Sequence, residues 1–304
     1  MTTINFRAKN PSLLDTSIFI ELLRLMKPRV MSLVIFTCAV GLLTAPGEVS
    51  FIKSIINIFF VTLGAGAAGA LNMWYEADLD KLMTRTSDRP LVTGDLKKST
   101  AIIYSITTGV IGFMILYLLT TPIAAFIGLI ANQFYIFIYT LVLKPRTNQN
   151  IVIGGAAGAA PVLIGWTATG STLDVGAWLL FLLVFMWTPA HFWALSIENK
   201  SDYKNADFPM LPTQETYERS AIYIAIYSCA TVLVSIVAAP VLQLGIVYLL
   251  VSVLLGSNLM YKSYNLYKKN IQPIRYFVFS NTYLAVIFLG IVADIMWTLR
   301  GVTT

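Results

Sequence analysis

Three oxygen-bearing side chains recur along the chain at a spacing that suits a metal ion. Asn72, Glu76 and Asp80 lie four residues apart, directly after an uncharged apolar run that covers residues 54–71. If this run is a helix that continues outward, the three side chains share one face. Mg²⁺ prefers oxygen ligands and completes its shell with water and substrate phosphate oxygens. The spacing therefore indicates a metal–diphosphate site; the alternative is a solvated loop of mixed charge.

Charged side chains that follow this segment suit the same ligand. Arg85 and Arg89, again four residues apart, offer donors for a phosphate group. A second acidic stretch, residues 198–212, contains Asp202 and follows a later apolar run. Two acidic stretches on one side of a membrane, each mixed with basic residues, fit a phosphate-rich anion bridged by a metal ion. The alternative is two independent solvated loops.

The composition indicates a membrane protein. Of the 304 residues, 57% are hydrophobic and 12% are charged, and the mean hydropathy is +0.74. A membrane-spanning helix needs about 20 residues. Nine stretches are long enough, and they cover residues 30–46, 52–73, 101–119, 123–142, 151–168, 175–197, 220–239, 242–260 and 277–297. The sequence therefore predicts an all-α, polytopic membrane helix bundle that forms a single domain over residues 1–304, with residues 1–27 as a cytoplasmic or interfacial N-terminal segment.

The basic residues set the predicted orientation. All Lys and Arg residues except Lys53 and Arg300 fall in alternate connections between the predicted spans. Because basic residues favour the cytoplasmic side, the N-terminus is expected in the cytoplasm and the C-terminus outside. The net charge of +6 then reflects topology and a phosphate-facing surface, so no nucleic-acid partner is expected. Cys38 and Cys229 lie singly within spans, which indicates neither a disulfide nor a thiolate metal site.

His191 is the only histidine in the sequence, and aromatic residues surround it near the inner end of the sixth predicted span. Trp187, Phe192 and Trp193 are typical of an interfacial aromatic belt. Imidazole is also a common ligand of haem iron, so a contact between His191 and an iron porphyrin is the other interpretation. The residues alone leave both open.

Longer motifs resemble the UbiA superfamily of membrane prenyltransferases, and within it the branch that farnesylates protohaem. The first acidic motif of the superfamily is similar to Asn72, Glu76 and Asp80, with Glu76 standing where Asp is usual. The second motif begins at Asp202, but Ala206 stands four residues later. This departure leaves open the role of Asp207, which stands five residues after Asp202. Further matching segments are 27–29, 78–83, 85–86, 89–91, 139–140, 143–144, 150 with 154–155, 158–161, 165–166, 191–195, 202–203 and 209–212.

The resemblance implies a reaction and a set of roles. A farnesyl group would pass from farnesyl diphosphate to the vinyl group of protohaem IX, with addition of water giving haem O and diphosphate. Mg²⁺ would be held by the catalytic residues Asn72, Glu76, Asp80 and Asp202. The diphosphate would contact Arg85, Arg89, Lys144, Arg146 and Lys204, and the haem would contact His191. The protein would lie in the inner membrane of a bacterium rather than of a mitochondrion, and a haem A synthase or an oxidase assembly factor would receive its product.

Two other functions fit parts of the same pattern. A prenyltransferase of this fold could act on another aromatic acceptor, such as a hydroxybenzoate or a naphthoate. A transporter without chemistry would place its functional polar groups near the bilayer midplane. Here the acids gather in loops on one predicted membrane face. That distribution favours an enzyme that handles phosphate.

Overall fold

The computed structural model describes residues 16–302, so the predicted N-terminal segment 1–27 is seen only from Thr16 onward. Regular structure within this range is helical throughout. In chain order the helices are α1 (Thr16–Leu25), α2 (Pro28–Thr44), α3 (Phe51–Asp80), α4 (Pro90–Thr93), α5 (Lys98–Leu119), α6 (Pro122–Gln133), α7 (Asn150–Ala168), α8 (Val175–Glu198), α9 (Lys200–Asn205), α10 (Leu211–Gln214), α11 (Tyr217–Val241), α12 (Ile246–Tyr267) and α13 (Pro273–Val302). A 3₁₀ turn covers Thr84–Thr86, and α6 continues as a π-helix over Phe134–Leu143.

The long helices account for the predicted membrane spans. In the described part of the chain, eight helices are long and apolar enough to cross a membrane, counting α6 with its π-helical extension as one. Helices α1 and α2 form a further pair that is bent by 58° at the break between them. The prediction of a membrane bundle with about nine spanning helices is thereby confirmed. The orientation of the termini stays a prediction.

Local sequence explains where several helices begin. Thr121, Asp174 and Thr216 each accept a backbone N–H from the first turn of the following helix, which caps α6, α8 and α11. The largest difference from the predicted boundaries is the eighth span, expected over 242–260 and found as α12. The chain turns at Gln243, whose φ is 54°, so α12 begins only at Ile246. At its other end, α12 continues to Tyr267, beyond the apolar residues that defined the predicted span. Hydropathy marks the apolar part of a helix rather than its hydrogen-bonded ends.

Glycines allow α2 and α7 to approach closely. A Cβ added at Gly41 would overlap the carbonyl oxygen of Val162, and one added at Gly165 would overlap that of Cys38. Small residues at such positions let the backbones of membrane helices come into contact. The pair α2–α7 is therefore fixed by backbone packing.

The small residues of α3 hold that helix against α5. A Cβ at Gly112 would lie 3.2 Å from the backbone nitrogen of Gly64, so the two helices nearly touch there. Since α3 is one continuous helix of 30 residues, this packing also positions its last turns. Those turns carry the acidic side chains.

Candidate active site

The acidic face of α3 is buried at the end of the helix. Helix α3 runs unbroken to Asp80, which confirms that the apolar run continues outward as a helix. The exposed fractions of Asn72, Glu76 and Asp80 are 2%, 2% and 0%. Buried carboxylates need compensating charges or hydrogen bonds. Their burial makes the solvated-loop interpretation wrong for these three side chains.

Two cations neutralise the two carboxylates. Lys144 Nζ lies 2.6 Å from the Glu76 carboxylate, and Arg89 Nη1 lies 2.6 Å from Asp80 Oδ2. The side chains of both cations are mostly buried, with 15% and 18% of their surface exposed. Water therefore screens these ion pairs much less than it screens pairs on the surface. The structure thus places Lys144 and Arg89 beside the predicted metal ligands.

Asn72 is held by two residues to which the sequence analysis gave no role. Lys27, in the break between α1 and α2, donates a hydrogen bond to Asn72 Oδ1, and Asn72 Nδ2 donates to Thr140 Oγ1 at 3.1 Å. Burial and the charge of nearby Arg89 lower the pKa of Lys27 to about 7. A bound anion would oppose this shift, since it favours the charged amine. Lys27 and Thr140 both lie in segments that match the superfamily, 27–29 and 139–140, and this match is the signal that marks them in the sequence.

The π-helix places two of these groups next to α3. The backbone N–H of Lys144 bonds to the carbonyl oxygen of Tyr139 at 2.8 Å, and Thr140 Oγ1 bonds to that of Tyr135 at 2.9 Å. The backbone bond of Lys144 spans five residues, which is the π-helical pattern, and the Thr140 hydroxyl donates to the carbonyl oxygen five residues before it. Such wide turns are rare and occur often at functional sites. Here they bring Thr140 and Lys144 to the acidic face.

The acidic face also fits a divalent cation. Asp80 Oδ1 is buried and has no hydrogen-bond partner among the residues that the structure describes. Within residues 16–302, no three His, Cys, Asp or Glu side chains are grouped so that they could hold a metal alone. Mg²⁺ takes one or two carboxylates and fills its other positions with water and substrate phosphate oxygens. Asn72, Glu76 and Asp80 thus offer oxygen ligands for a metal that arrives with a diphosphate, and the predicted contact of Asp202 with the same metal stays a prediction.

The two acidic stretches meet at this site. The backbone N–H of Arg85 donates to Asp202 Oδ2 at 2.9 Å, and the Arg85 guanidinium lies 5.9 Å from the centre of the Tyr203 ring. Lys144 Nζ lies 4.7 Å from the centre of the Phe208 ring. Asp202 is 7% exposed. The loop after α3 and the segment that begins at α9 are therefore one surface rather than two independent solvated loops.

The remaining predicted anion-binding residues lie at the edge of the site or outside it. Arg146 is exposed and donates to the carbonyl oxygens of Leu141 and Val142, at 3.1 Å and 3.5 Å. Lys204 is exposed on α9. Arg85 contributes its backbone to Asp202, while its side chain is exposed. Their contact with diphosphate stays a prediction.

His191 lies inside the bundle between α8 and α13. It is 6% exposed, and its neighbours Trp187 and Trp193 are 2% and 1% exposed. These side chains therefore do not form an aromatic belt at the lipid surface. The His191 ring stacks between Trp187 and Phe277, at 4.1 Å and 4.2 Å between ring centres. A contact between His191 and haem stays a prediction.

An apolar cavity of about 260 Å³ begins next to the acidic face. Helices α3, α5, α6 with its π-helical extension, and α7 line it, and its lining includes Leu71, the residue before Asn72. It extends along α3 to Phe60, which corresponds to about 16 Å of helix at about 1.5 Å per residue. Ala68 and Gly109 keep part of its wall small. The cavity has the length and the lining that an isoprenoid chain requires.

Comparisons with known proteins point to one family. A sequence profile of the UbiA prenyltransferase family matches residues 33–293. The chain is 44% identical to a protoheme IX farnesyltransferase of Pelagibacter ubique (strain HTCC1062), over 96% of this chain and 99% of that protein. It is 41% identical to a protoheme IX farnesyltransferase of Bartonella bacilliformis, over 88% of each chain.

Solved structures share the fold. A digeranylgeranylglyceryl phosphate synthase structure superposes with a TM-score of 0.75 and 18% identity, over 91% of this chain and 98% of that one. A UbiA homologue from Archaeoglobus fulgidus bound to DMAPP and Mg²⁺ superposes with a TM-score of 0.64 and 14% identity, over 90% of this chain and 99% of that one. Because the family profile matches residues 33–293 and the relatives are similar over most of their length, the chain belongs to the UbiA prenyltransferase family.

Proposed function

We propose that this protein transfers a farnesyl group from farnesyl diphosphate to the vinyl group of protohaem IX, with addition of water, to give haem O and diphosphate. One observation carries the proposal: buried carboxylates, each paired with a cation, follow on α3 directly after the residues that line an apolar cavity. The names of the two farnesyltransferase relatives support haem as the acceptor.

The polar end of the site binds the diphosphate. Three cations contact the acidic face: Lys27, Arg89 and Lys144. Their N–H groups are therefore near enough to donate hydrogen bonds to the phosphate oxygens of a diphosphate bound there. Mg²⁺, when bound by Asn72, Glu76, Asp80 and Asp202, supplies positive charge that stabilises the leaving diphosphate. The bond between C1 of the farnesyl chain and the diphosphate oxygen then breaks, and its electron pair stays on the diphosphate. The three cations stabilise that developing charge.

The apolar end of the site protects the allylic cation that remains. The cavity along α3 would place the C15 chain among mainly apolar side chains, which keeps water scarce around the reacting carbon. C1 bonds to the terminal carbon of the haem vinyl group. One water molecule adds to the adjacent vinyl carbon and loses a proton, which completes the hydroxyethylfarnesyl side chain.

The proposal also includes the membrane in which the protein lies, its orientation there and the protein that receives its product. The basic residues favour an N-terminus in the cytoplasm and a C-terminus outside, with the whole chain as one domain. The acidic face then opens at the cytoplasmic side, where soluble farnesyl diphosphate is available. The bacterial relatives support a bacterial inner membrane. Haem O would pass to a haem A synthase or to an oxidase assembly factor.

A product assay tests this proposal. Purified protein in lipid nanodiscs receives haem, farnesyl diphosphate and Mg²⁺, and the products are identified by mass. We expect a farnesylated, hydrated haem that disappears with chelator and in Asp80→Ala. The matched control is Asp95→Ala, since Asp95 is exposed and, among the described residues, accepts a side-chain hydrogen bond from Thr93 alone. Prenylation of a hydroxybenzoate or a naphthoate with haem left unchanged would overturn haem as the acceptor, and transport of an unmodified solute without turnover would overturn the enzyme.

A further inference from the structure

The His191 ring is fixed in its plane by aromatic residues on both faces. Trp187, one helical turn earlier on α8, stacks on one face with 22° between the ring planes, and Phe277 of α13 stacks on the other with 25°. Phe192 meets the ring edge-on at 5.3 Å. A ring held in this way cannot flip to exchange its two edges. The edge that carries Nδ1 therefore stays directed at α13.

Ser280 of α13 determines which ring nitrogen carries the proton. His191 Nδ1 and Ser280 Oγ are 2.8 Å apart, and Ser280 Oγ also lies 2.7 Å from the carbonyl oxygen of Phe277. A carbonyl oxygen only accepts, so the single hydroxyl proton of Ser280 belongs to that second bond. The remaining lone pairs of Ser280 then accept from Nδ1–H. If Nδ1 were unprotonated, either it or the carbonyl would face an oxygen lone pair at hydrogen-bond distance.

Ser280 is itself anchored. Its backbone carbonyl oxygen accepts from Trp187 Nε1 at 2.8 Å, so the residue that stacks on His191 also holds the residue that bonds to it. Ser280 is 1% exposed. The unit of His191, Ser280, Trp187 and Phe277 thus joins α8 to α13 and fixes both the plane and the rotation of the imidazole.

We infer that Ser280 is a positioning residue that holds His191 as the Nδ1–H tautomer, so that Nε2 presents its lone pair to the iron of the acceptor haem. Histidines that ligate metals usually donate their other ring N–H to a neighbouring oxygen, which fixes the tautomer and makes the ligating nitrogen more basic. Among the described residues, no hydrogen bond engages Nε2. The inference rests on the proposed haem acceptor and adds how the protein orients it.

A haem titration without farnesyl diphosphate tests this role separately from catalysis. Ferric haem is added to the full-length protein in nanodiscs, and the Soret band and the electron paramagnetic resonance spectrum report imidazole bound to iron. We expect an imidazole-ligated spectrum in the wild type and its loss in His191→Ala. In Ser280→Ala, haem affinity should fall about 10- to 100-fold, as when an outer-shell partner of a ligating histidine is removed. Ser280→Thr keeps the hydroxyl and should restore the signature.

Ser228→Ala is the matched control for packing. Ser228 is a fully buried serine of α11 that bonds to another residue of α13, Tyr276 Oη, at 2.6 Å, and it has no histidine partner. Both alanine variants lose a buried hydroxyl between helices, so they should lose similar thermal stability. Only Ser280→Ala should lose the imidazole signature. Equal haem affinity in Ser280→Ala and wild type, or equal losses in the two alanine variants, would overturn the inference.

The two proposals fail in different ways. A wild-type protein that makes farnesylated haem but shows no imidazole ligation would refute the role of Ser280 and leave the reaction standing. A wild-type protein that ligates haem through His191 but releases no farnesylated product would leave the role of Ser280 standing and refute the reaction.

Discussion

Arg89 binds one oxygen of Asp80 and leaves the other unsatisfied. Arg89 Nη1 lies 2.6 Å from Asp80 Oδ2, while Oδ1 is buried and has no hydrogen-bond partner within residues 16–302. A fully paired carboxylate would be structural, and a fully exposed one would be solvated. This half-paired carboxylate keeps an oxygen directed into a site whose other groups are neutralised, which is the arrangement that a cation-bound diphosphate needs.

Removing the arginine should affect both stability and activity. In Arg89→Ala, Asp80 would be a buried carboxylate without a charge partner, which costs about 3–5 kcal/mol in comparable buried pairs. We expect a lower melting temperature and a loss of product formation. Arg89→Ala with Asp80→Asn removes both charges and should recover most of the stability but none of the activity. A melting temperature unchanged in Arg89→Ala would contradict the buried pair.

Asp202 should combine a structural and a chemical role that can be separated. Asp202→Asn keeps an oxygen that can accept from the Arg85 backbone N–H, whereas Asp202→Ala does not. Hydrogen exchange of the Thr84–Thr86 turn should therefore stay slow in Asp202→Asn and become faster in Asp202→Ala. Both variants should lose activity, because both lose the carboxylate charge. Slow exchange in both variants would show that this bond is not what orders the turn.

Lys144 and Arg146 are two residues apart but should differ strongly. Lys144 contacts the Glu76 carboxylate, and Arg146 contacts backbone carbonyl oxygens at the surface. Hydrogen bonds to charged groups contribute about 1.5–3 kcal/mol, so Lys144→Ala should raise the KM for farnesyl diphosphate by about 10- to 150-fold. Arg146→Ala should leave it nearly unchanged. A similar increase in this KM in both variants would show that Arg146 also contacts the diphosphate, as the family resemblance implies.

The cavity along α3 should limit the length of the prenyl donor. Ala68 is 3% exposed and lines the cavity three residues before Leu71. In Ala68→Phe, the larger ring fills part of the cavity near Leu71. The kcat/KM for a C15 donor should therefore fall more than the kcat/KM for a C10 donor. Competition between the two donors, with products separated by mass, measures the ratio. Ile103→Phe is the matched control, since Ile103 is exposed on α5 and does not line the cavity.

Two glycines of α7 should respond oppositely to a methyl group. Gly165→Ala places its Cβ on the Cys38 carbonyl oxygen of α2, and overpacking of this kind costs about 1–3 kcal/mol. Gly158→Ala meets nothing within 4 Å and should be neutral, or stabilising by up to about 1 kcal/mol through helix propensity. Thermal unfolding in detergent compares the two. Equal effects would mean that α2 and α7 separate easily.

Periodicity made the acidic face predictable, and long-range packing made its partners unpredictable. Asn72, Glu76 and Asp80 follow from helical spacing alone, since α3 continues straight through them. Lys27 and Thr140 reach Asn72 from elements 45 and 68 residues away, and no local pattern encodes that distance. His191 was readable as a lone histidine among aromatic residues. Its partner Ser280, 89 residues later, was not.

The π-helix at Phe134–Leu143 divides the fourth span into two parts with separate helical phase. If the same residues formed an ordinary α-helix, which has fewer residues in each turn, the inner end of the span would rotate relative to α6. Thr140 and Lys144 would then point away from α3, while Pro122–Gln133 would keep its packing and its lipid contacts. The wide turns of this segment thus set the direction of Thr140 and Lys144 separately from the packing of Pro122–Gln133.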